Sequence, residues 1–171
     1  NNIMKKIQKA YKHRLQLNAT QEQTLRQFAG SCRYVFNQML SYSQKQYQND
    51  NTHKFSYTEL ANLLPIWKKE VERQWLANVP AQALQQAIKQ LETAMKRFFN
   101  KTSSYPNFKK KSSPASFKIP QGFKIDETNH RIFVPKIGWL KYINSYKHKL
   151  SGTPKNLTLS CKNNKWYVSI Q

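Results

Sequence analysis

Hydrophobic and polar positions follow two different periods, which predict one strand and then a block of helices. Over residues 11–17 apolar and polar side chains alternate, as in a half-buried β-strand. Thr20 and Gln23 then form a capping-box pattern, which predicts that a helix begins here. Apolar residues recur from there at helical spacing, at Leu25, Phe28, Ala29, Cys32, Val35, Phe36, Met39 and Leu40.

Three more helical segments are predicted up to residue 99. Ser56 and Glu59 are typical of a helix start, and Pro65 is expected to end that helix. Residues 66–75 carry apolar side chains on one side of a second segment. Pro80 suits the first position of a helix over residues 81–99, whose apolar stripe is Leu84, Ala87, Ile88, Leu91, Met95 and Phe98.

Short β-like runs follow a basic segment that has neither period. Residues 101–115 contain Pro106, Pro114 and three consecutive lysines at 109–111, which predicts a mobile basic linker. The β-like runs are residues 116–119, 123–125, 131–134, 139–143, 157–161 and 166–170. The last two are expected to form a hairpin that turns at Asn163 and Asn164.

The order of these elements predicts an α+β fold with helices inserted between strands. A lone N-terminal strand is not stable by itself, so we expect it to pair with the C-terminal strands in a β-barrel or sandwich. The predicted parts are a first strand at 1–19, a helical insertion at 20–100, a basic linker at 101–115 and the remaining strands at 116–171.

Charge is the first indication of function. The 171 residues include 23 Lys and 6 Arg against 8 Asp and Glu, which gives a net charge of +21. Such a charge repels itself and favours a polyanionic partner, and lysine suits backbone phosphates. Nucleic acid fits better than anionic lipid because the charge is spread along the chain. With neither a membrane-length apolar run nor a signal peptide, we expect a cytoplasmic, nucleoid-associated protein without a membrane partner.

Residues for bond-breaking chemistry are scarce and scattered. Asp50 and Asp126 each lie in a predicted turn or loop, and the histidines are too dispersed for a metal site. Cys32 and Cys161 are expected to pack as small hydrophobic residues. We therefore predict no catalytic residue, no metal ligand and no cofactor in this chain, which is not expected to act as an enzyme alone.

Several segments, taken in order, resemble one protein family. They include Arg-Tyr-Val-Phe-Asn at 33–37, Val-Pro-Ala-Gln-Ala-Leu-Gln-Gln-Ala at 79–87 and Tyr-Pro-Asn-Phe-Lys-Lys-Lys at 105–111. The set is completed by Lys-Ala-Tyr-Lys-His-Arg-Leu at 9–15, Thr-Gln-Glu-Gln at 20–23, Phe-Phe at 98–99, Ser-Phe-Lys at 116–118 and Val-Pro-Lys-Ile-Gly-Trp at 134–139. At these spacings the chain resembles the N-terminal half of the TnpB/OrfB proteins of insertion sequences, which are transposon-encoded RNA-guided DNA endonucleases.

The resemblance implies a wedge-type β-barrel with a helical recognition lobe. It also implies guide RNA and double- and single-stranded DNA as partners. In the family a RuvC-like nuclease domain, with three carboxylates for divalent metal and a zinc ribbon, follows the last of these strands. The chain stops at Gln171, where that domain is expected to start, so we expect metal and zinc only in that absent domain.

Three residues are candidate base readers by this resemblance. Gln85 is carried over by motif, and its amide can pair with adenine in the major groove. Tyr57 matches a family tyrosine beside the same duplex, and Gln121 lies in a predicted wedge turn. A solvated polar helix face for Gln85 and ordinary packing for Tyr57 remain the alternatives.

The basic segment supplies the main phosphate-binding candidates. Tyr105 and Phe108 are candidates for stacking on bases beside these lysines. The phosphate-binding candidates are Lys12, Arg33, Lys109, Lys110 and Lys111. A solvated charged surface is the alternative for all of them.

The predicted function is the guide RNA-binding and target-adjacent DNA-binding portion of a TnpB-like endonuclease, without the nuclease domain. Two alternatives remain from the sequence. One is a stand-alone DNA-binding regulator that needs no RNA, and the other is a structural RNA-binding protein. A complete nuclease whose remaining chain is not in this sequence is a third.

Overall fold

The structure is a computed structural model that describes residues 10–145 and 149–171. Residues 1–9, which include Lys9 of the first matched motif and nearly half of the predicted first part, lie outside the described residues. The helices are α1 (Ala19–Asn49), α2 (Tyr57–Lys69), a 3₁₀ helix (Val71–Asn78) and α3 (Ala81–Phe99). The strands are β1 (Tyr11–Gln16), β2 (Ser116–Ile119), β3 (Lys124–Asp126), β4 (Arg131–Val134), β5 (Gly138–Tyr142), β6 (Leu157–Lys162) and β7 (Lys165–Ile170).

Helix α1 begins before the capping pattern predicted at Thr20. Its N-cap is Asn18, whose side-chain Oδ1 accepts from the Gln21 amide at 2.8 Å. The Gln21 side chain in turn accepts from the Asn18 amide at 3.1 Å. Asparagine is among the best N-cap residues, so the capping box of Asn18 and Gln21 forms instead of the one predicted for Thr20 and Gln23.

The prediction that Pro65 ends a helix is wrong. Pro65 lies inside α2, which continues to Lys69, and the 3₁₀ helix follows after Glu70. A proline in a helix interior costs about 3 kcal/mol, because it donates no hydrogen bond and crowds the preceding turn. The side chains of Leu64 and Trp67, on either side of Pro65, are buried in the core and offset this cost.

The strands form one antiparallel sheet, and the predicted α+β fold is confirmed. Its strand order is β2-β6-β7-β1-β5-β4-β3, so the N-terminal strand pairs with C-terminal strands on both sides. Strands β2 and β3 are the two edges, and no ladder among the described residues closes the sheet into a barrel. The predicted hairpin is present, with Asn163 and Asn164 at φ 53° and 61°, as a tight hairpin turn requires.

The helices cover one face of the sheet at its β2 edge. Phe28 of α1 contacts Phe117 of β2 edge-on, with ring centroids 5.8 Å apart. Buried side chains from helices and strands join in one hydrophobic cluster among the described residues. Alternate strand residues point away from this cluster, and they give the sheet an exposed outer face. None of the described helices is both long and apolar enough to cross a lipid bilayer.

His13 gives the fold a predicted dependence on pH. The side chain of His13 is 3% exposed, and burial lowers its pKa from 6.5 despite the carbonyl of Ile143 nearby, with His130 lowering it further. The unfolded chain therefore binds the proton first as pH falls below about 6.5. We expect the free energy of unfolding to decrease between about pH 7.5 and pH 5.5, and His13→Gln to flatten that slope in urea titrations. An unchanged slope in His13→Gln would contradict this assignment.

Candidate nucleic-acid interface

A basic cleft lies between α1, α3 and the segment that leads into β2. Its volume is about 240 Å³, and it is lined by cations from three parts of the chain, Arg33, Lys109 and Lys118. Gln86 and Gln90 of α3 supply amides along the same wall. Among the described residues that line this cleft there is no carboxylate. A concave surface with one sign of charge concentrates its field and attracts anions.

Lys109 is held inward against the wall of this cleft. Its ammonium donates to Gln90 Oε1 at 2.8 Å and lies 4.4 Å from the centre of the Phe36 ring. Burial lowers the pKa of Lys109, and Cys32 beneath the cleft raises it by a smaller amount. Because the contacts with Gln90 and Phe36 hold its side chain in place, Lys109 contributes positive potential to the cleft from a fixed position.

Asn37 of α1 fixes the backbone at Lys109. The Asn37 amide nitrogen donates to the Lys109 carbonyl at 2.9 Å, and its oxygen accepts from the Lys109 amide at 2.7 Å. A side chain that satisfies both backbone groups of one residue holds a segment without regular secondary structure in place. The segment predicted to be a mobile linker is thus anchored to α1 at this point.

The other candidates in this segment differ in exposure. Lys110 and Lys111 are exposed at a turn in which the Ser113 amide donates to the Lys110 carbonyl at 3.0 Å. Phe108 is 50% exposed just before them. Tyr105 is half-buried and edge-on to Phe98, with ring centroids 5.1 Å apart. Phe108 is therefore the accessible ring of the two stacking candidates.

The first turns of α3 carry one predicted base reader, Gln85, and contact the backbone of another, Gln121. Gln82 Oε1 accepts from the Gln121 amide at 3.0 Å, which holds the turn after β2 against the helix. A Cβ on the next residue, Gly122, would lie 3.4 Å from Gln82 Nε2, and its φ is +75°. Gln85 is exposed one turn further along. Gln85 and Gln121 are thus neighbours of the same residue, Gln82.

Tyr57 of α2 lies against Lys89, which is further along α3 than Gln85. It begins α2 half-buried, and the ammonium of Lys89 in α3 is 5.3 Å from the centre of its ring. Lys89 follows Gln85 by one helical turn. At 100° per residue, Gln85 lies on one flank of the solvent face of α3, and Gln86 and Gln90, which line the cleft, lie on the other.

Lys12 is remote from the cleft. It lies on the outer face of β1, with its ammonium 4.8 Å from the centre of the Tyr167 ring. Strands β7 and β6 separate β1 from β2, which borders the cleft. Of the predicted phosphate contacts, Arg33 and Lys109 therefore share one site, and Lys12 belongs to another surface.

Sequence reasoning missed Lys118, Asn37 and Gln82. The signal for Lys118 was present, because residues 116–119 alternate and place this lysine opposite buried Phe117. No periodicity distinguishes the amides of Asn37 and Gln82 from the other polar residues of their helices. Their roles follow only from the segments that meet those helices.

The two aspartates and the Cys32 thiol are engaged in local structure. Hydrogen bonds from Asn129 and Arg131 hold the pKa of Asp126 at about 2, and Thr52 similarly lowers that of Asp50. Burial raises the pKa of the Cys32 thiol to about 12, so it stays protonated. Among the described residues no three His, Cys, Asp or Glu side chains form a group that could hold a metal ion.

Comparison with known proteins points to one family. A helix-turn-helix domain of the OrfB type matches residues 4–52. The described part of that range is β1 and the single helix α1, so a helix-turn-helix pair does not lie within it. The chain is 44% identical over 168 residues to InsQ of Escherichia coli strain K12, a candidate RNA-guided DNA endonuclease.

A second relative extends the comparison. The chain is 33% identical over 115 residues to a candidate RNA-guided DNA endonuclease of Streptomyces pristinaespiralis. These alignments cover 98% and 67% of this chain but only 41% and 28% of the two relatives. The chain therefore spans less than half the length of the curated relatives that it matches.

Proposed function

Because the chain belongs to the TnpB/OrfB family, we propose that it is the nucleic-acid-binding portion of a TnpB-like RNA-guided DNA endonuclease. In this proposal it holds guide RNA and the duplex DNA beside the target. The sheet acts as the wedge part, and α1–α3 act as the recognition part. Bond cleavage is assigned to a nuclease domain outside this sequence.

The cleft between the helices and the sheet carries this proposal. Arg33, Lys109 and Lys118 converge there from α1, the connecting segment and β2, with no carboxylate among the described lining residues. Binding of phosphates at such a site releases counterions and is therefore strongly dependent on salt. Lys110 and Lys111 extend the positive charge along the rim.

The solvent face of α3 is proposed to carry the base-specific contacts. The backbone amide of Gln121 donates to Gln82, Gln85 follows Gln82 by one helical turn, and Tyr57 lies beside Lys89, one turn further along α3. An exposed glutamine amide can pair with adenine in the major groove. Gln85 and the cleft-lining residues Gln86 and Gln90 lie on the two flanks of the solvent face of α3, and in this proposal one duplex lies along that face and contacts both.

Copurifying RNA and its salt response test the proposal. We expect the chain to copurify with RNA, and we expect the logarithm of its affinity for that RNA to fall linearly with the logarithm of salt concentration. The double variant Arg33→Ala, Lys118→Ala removes two cations of the cleft. It should reduce the slope of log affinity against log salt concentration by about 1.4, because each of the two cations that contacts a phosphate of a single strand contributes about 0.7 to that slope.

The matched control is Lys45→Ala on the same helix as Arg33. Lys45 is exposed and 12 residues further along α1, a distance of about 18 Å. We expect its salt dependence to equal that of the unmodified chain. The proposal would be overturned if affinity did not depend on salt. It would also be overturned if Lys45→Ala reduced the salt dependence as much as the double variant. Tight binding to a defined DNA site without RNA would support a stand-alone regulator instead.

A further inference from the structure

The outer face of β3, β4 and β5 carries a cluster of basic and aromatic side chains away from the cleft. The strand register places Lys124 beside Phe133 and Phe133 beside Trp139. The next row places Arg131 beside Lys141. We name these five residues, Lys124, Arg131, Phe133, Trp139 and Lys141, the Arg131 platform.

Contacts within the platform fix the arginine over the tryptophan. The guanidinium carbon of Arg131 lies 4.2 Å from the centre of the Trp139 ring. Asp126 accepts from Arg131 Nε at 2.8 Å, which fixes the guanidinium from the side. Phe133 contacts Trp139 edge-on, with centroids 5.6 Å apart, and limits the movement of the indole. The planar groups are therefore held in place before any ligand binds.

The platform remains open to solvent. The Arg131 side chain is 39% exposed and Trp139 is 37% exposed, although tryptophan is usually well buried. Trp67 and Trp166, in contrast, are 6% and 2% exposed in the core. Lys124 and Lys141 are exposed on either side, and Asp126 is the acidic residue within the two rows. The surface combines planar groups with an excess of positive charge.

We propose that the Arg131 platform binds single-stranded RNA, with an unpaired base stacked on the Arg131–Trp139 pair and flanking phosphates at Lys124 and Lys141. Unpaired bases stack on aromatic rings and on guanidinium planes, and neighbouring cations neutralise the backbone. Bases within a duplex are already stacked on each other and do not reach such a surface. We choose RNA as the single strand, and not DNA, because the loops and ends of RNA expose unpaired bases.

The platform is distinct from the cleft. The cleft borders β2, at one edge of the sheet, and the platform lies on the three strands at the other edge. The inference rests on the proposed nucleic-acid function, but it concerns residues that the cleft does not use. The two can therefore be tested with different variants.

Tryptophan fluorescence during titration with oligouridylate tests the platform. Stacking on the Arg131–Trp139 pair should quench part of the emission of the full chain, because Trp139 is the exposed indole. Arg131→Lys keeps the charge but removes the plane, and it should weaken oligouridylate binding by about five- to a hundredfold. Its salt dependence should stay unchanged, since the number of cations is the same.

Conservative and control variants separate stacking from a folding effect. Affinities of the Trp139 variants are measured by the fluorescence anisotropy of a dye-labelled oligouridylate, which does not depend on Trp139. Trp139→Phe should retain most of the affinity but lose the quenching, whereas Trp139→Leu should lose both. Lys155→Ala, an exposed lysine in the loop before β6, should behave as the unmodified chain. Circular dichroism of each variant shows whether the sheet is retained.

Wild-type affinity in both Arg131→Lys and Trp139→Leu, or no quenching by oligouridylate, overturns the platform. If the copurified RNA still shows the cleft's salt dependence in that case, the proposed function stands without it. Equal binding of oligothymidylate of the same length overturns the choice of RNA. A flat salt response for the copurified RNA overturns the proposed function, whatever oligouridylate does.

Discussion

Phe28→Ala should lower the free energy of unfolding by about 3–5 kcal/mol, because it removes a fully buried aromatic ring and leaves a cavity. Phe28 is 2% exposed and joins α1 to the sheet through its edge-on contact with Phe117. The ring thus links the two layers that border the basic cleft. Urea unfolding followed by circular dichroism measures the change.

The matched control is Phe99→Ala in the last turn of α3. Phe99 is 64% exposed, so its loss should change the free energy of unfolding by about 0.5 kcal/mol or less. Phe28→Leu keeps most of the buried apolar volume and should fall between the two. If Phe28→Ala and Phe99→Ala lowered the free energy of unfolding by the same small amount, the contact between Phe28 and Phe117 would not be what holds the helices to the sheet.

The strands were predictable because a half-buried strand carries its own signal. Residues 131–134 and 157–161 alternate between the core and the outer face, and the observed strands agree closely with those predicted. The hairpin at Asn163 and Asn164 was predictable for a local reason, since few residues tolerate positive φ. Closure of a barrel was not, because it depends on how far the sheet curls.

Helix boundaries were less predictable because local signals compete with tertiary packing. Two overlapping capping patterns begin at Asn18 and Thr20, and the sequence alone does not rank them. At Pro65 the local rule predicts a helix end, but Leu64 and Trp67 reach the core only if the helix continues. In this case burial outweighs the rule for proline.

The sequence indicated the charge of the candidate site but not the direction of its side chains. Arg33 and Lys109 were predicted phosphate contacts, and the structure places both in the cleft. A run of three lysines does not show which member turns inward. Lys109 does so because Asn37, Gln90 and Phe36 surround it.

The arrangement of side chains on the outer face of the sheet could not be predicted from the sequence either. Arg131 and Trp139 are eight positions apart in the sequence, and only the register of β4 with β5 brings them together. Large aromatic side chains are usually buried, so the presence of a tryptophan at position 139 does not by itself indicate an exposed platform. Its position in an exposed row follows from the alternation that buries Leu140.

Asn37→Ala should release the segment that carries Lys109, Lys110 and Lys111. The substitution removes both hydrogen bonds to the Lys109 backbone, at 2.7 and 2.9 Å, and should lower the free energy of unfolding by about 1–3 kcal/mol. Exchange of the Lys109 amide hydrogen should accelerate as its acceptor is lost. Binding of the copurified RNA should weaken about tenfold, because the lysines must then be ordered during binding.

Two further variants separate the anchor from its surroundings. Gln38→Ala changes the exposed neighbour on the same helix and should leave exchange and affinity unchanged. Asn37→Asp keeps an acceptor for the Lys109 amide but removes the donor and adds a negative charge beside the cleft. It should therefore retain more exchange protection than Asn37→Ala and still bind RNA weakly. If Asn37→Ala accelerates exchange with no loss of affinity, the lysine segment is not part of the RNA-binding surface, and the contacts must come from Arg33 and Lys118.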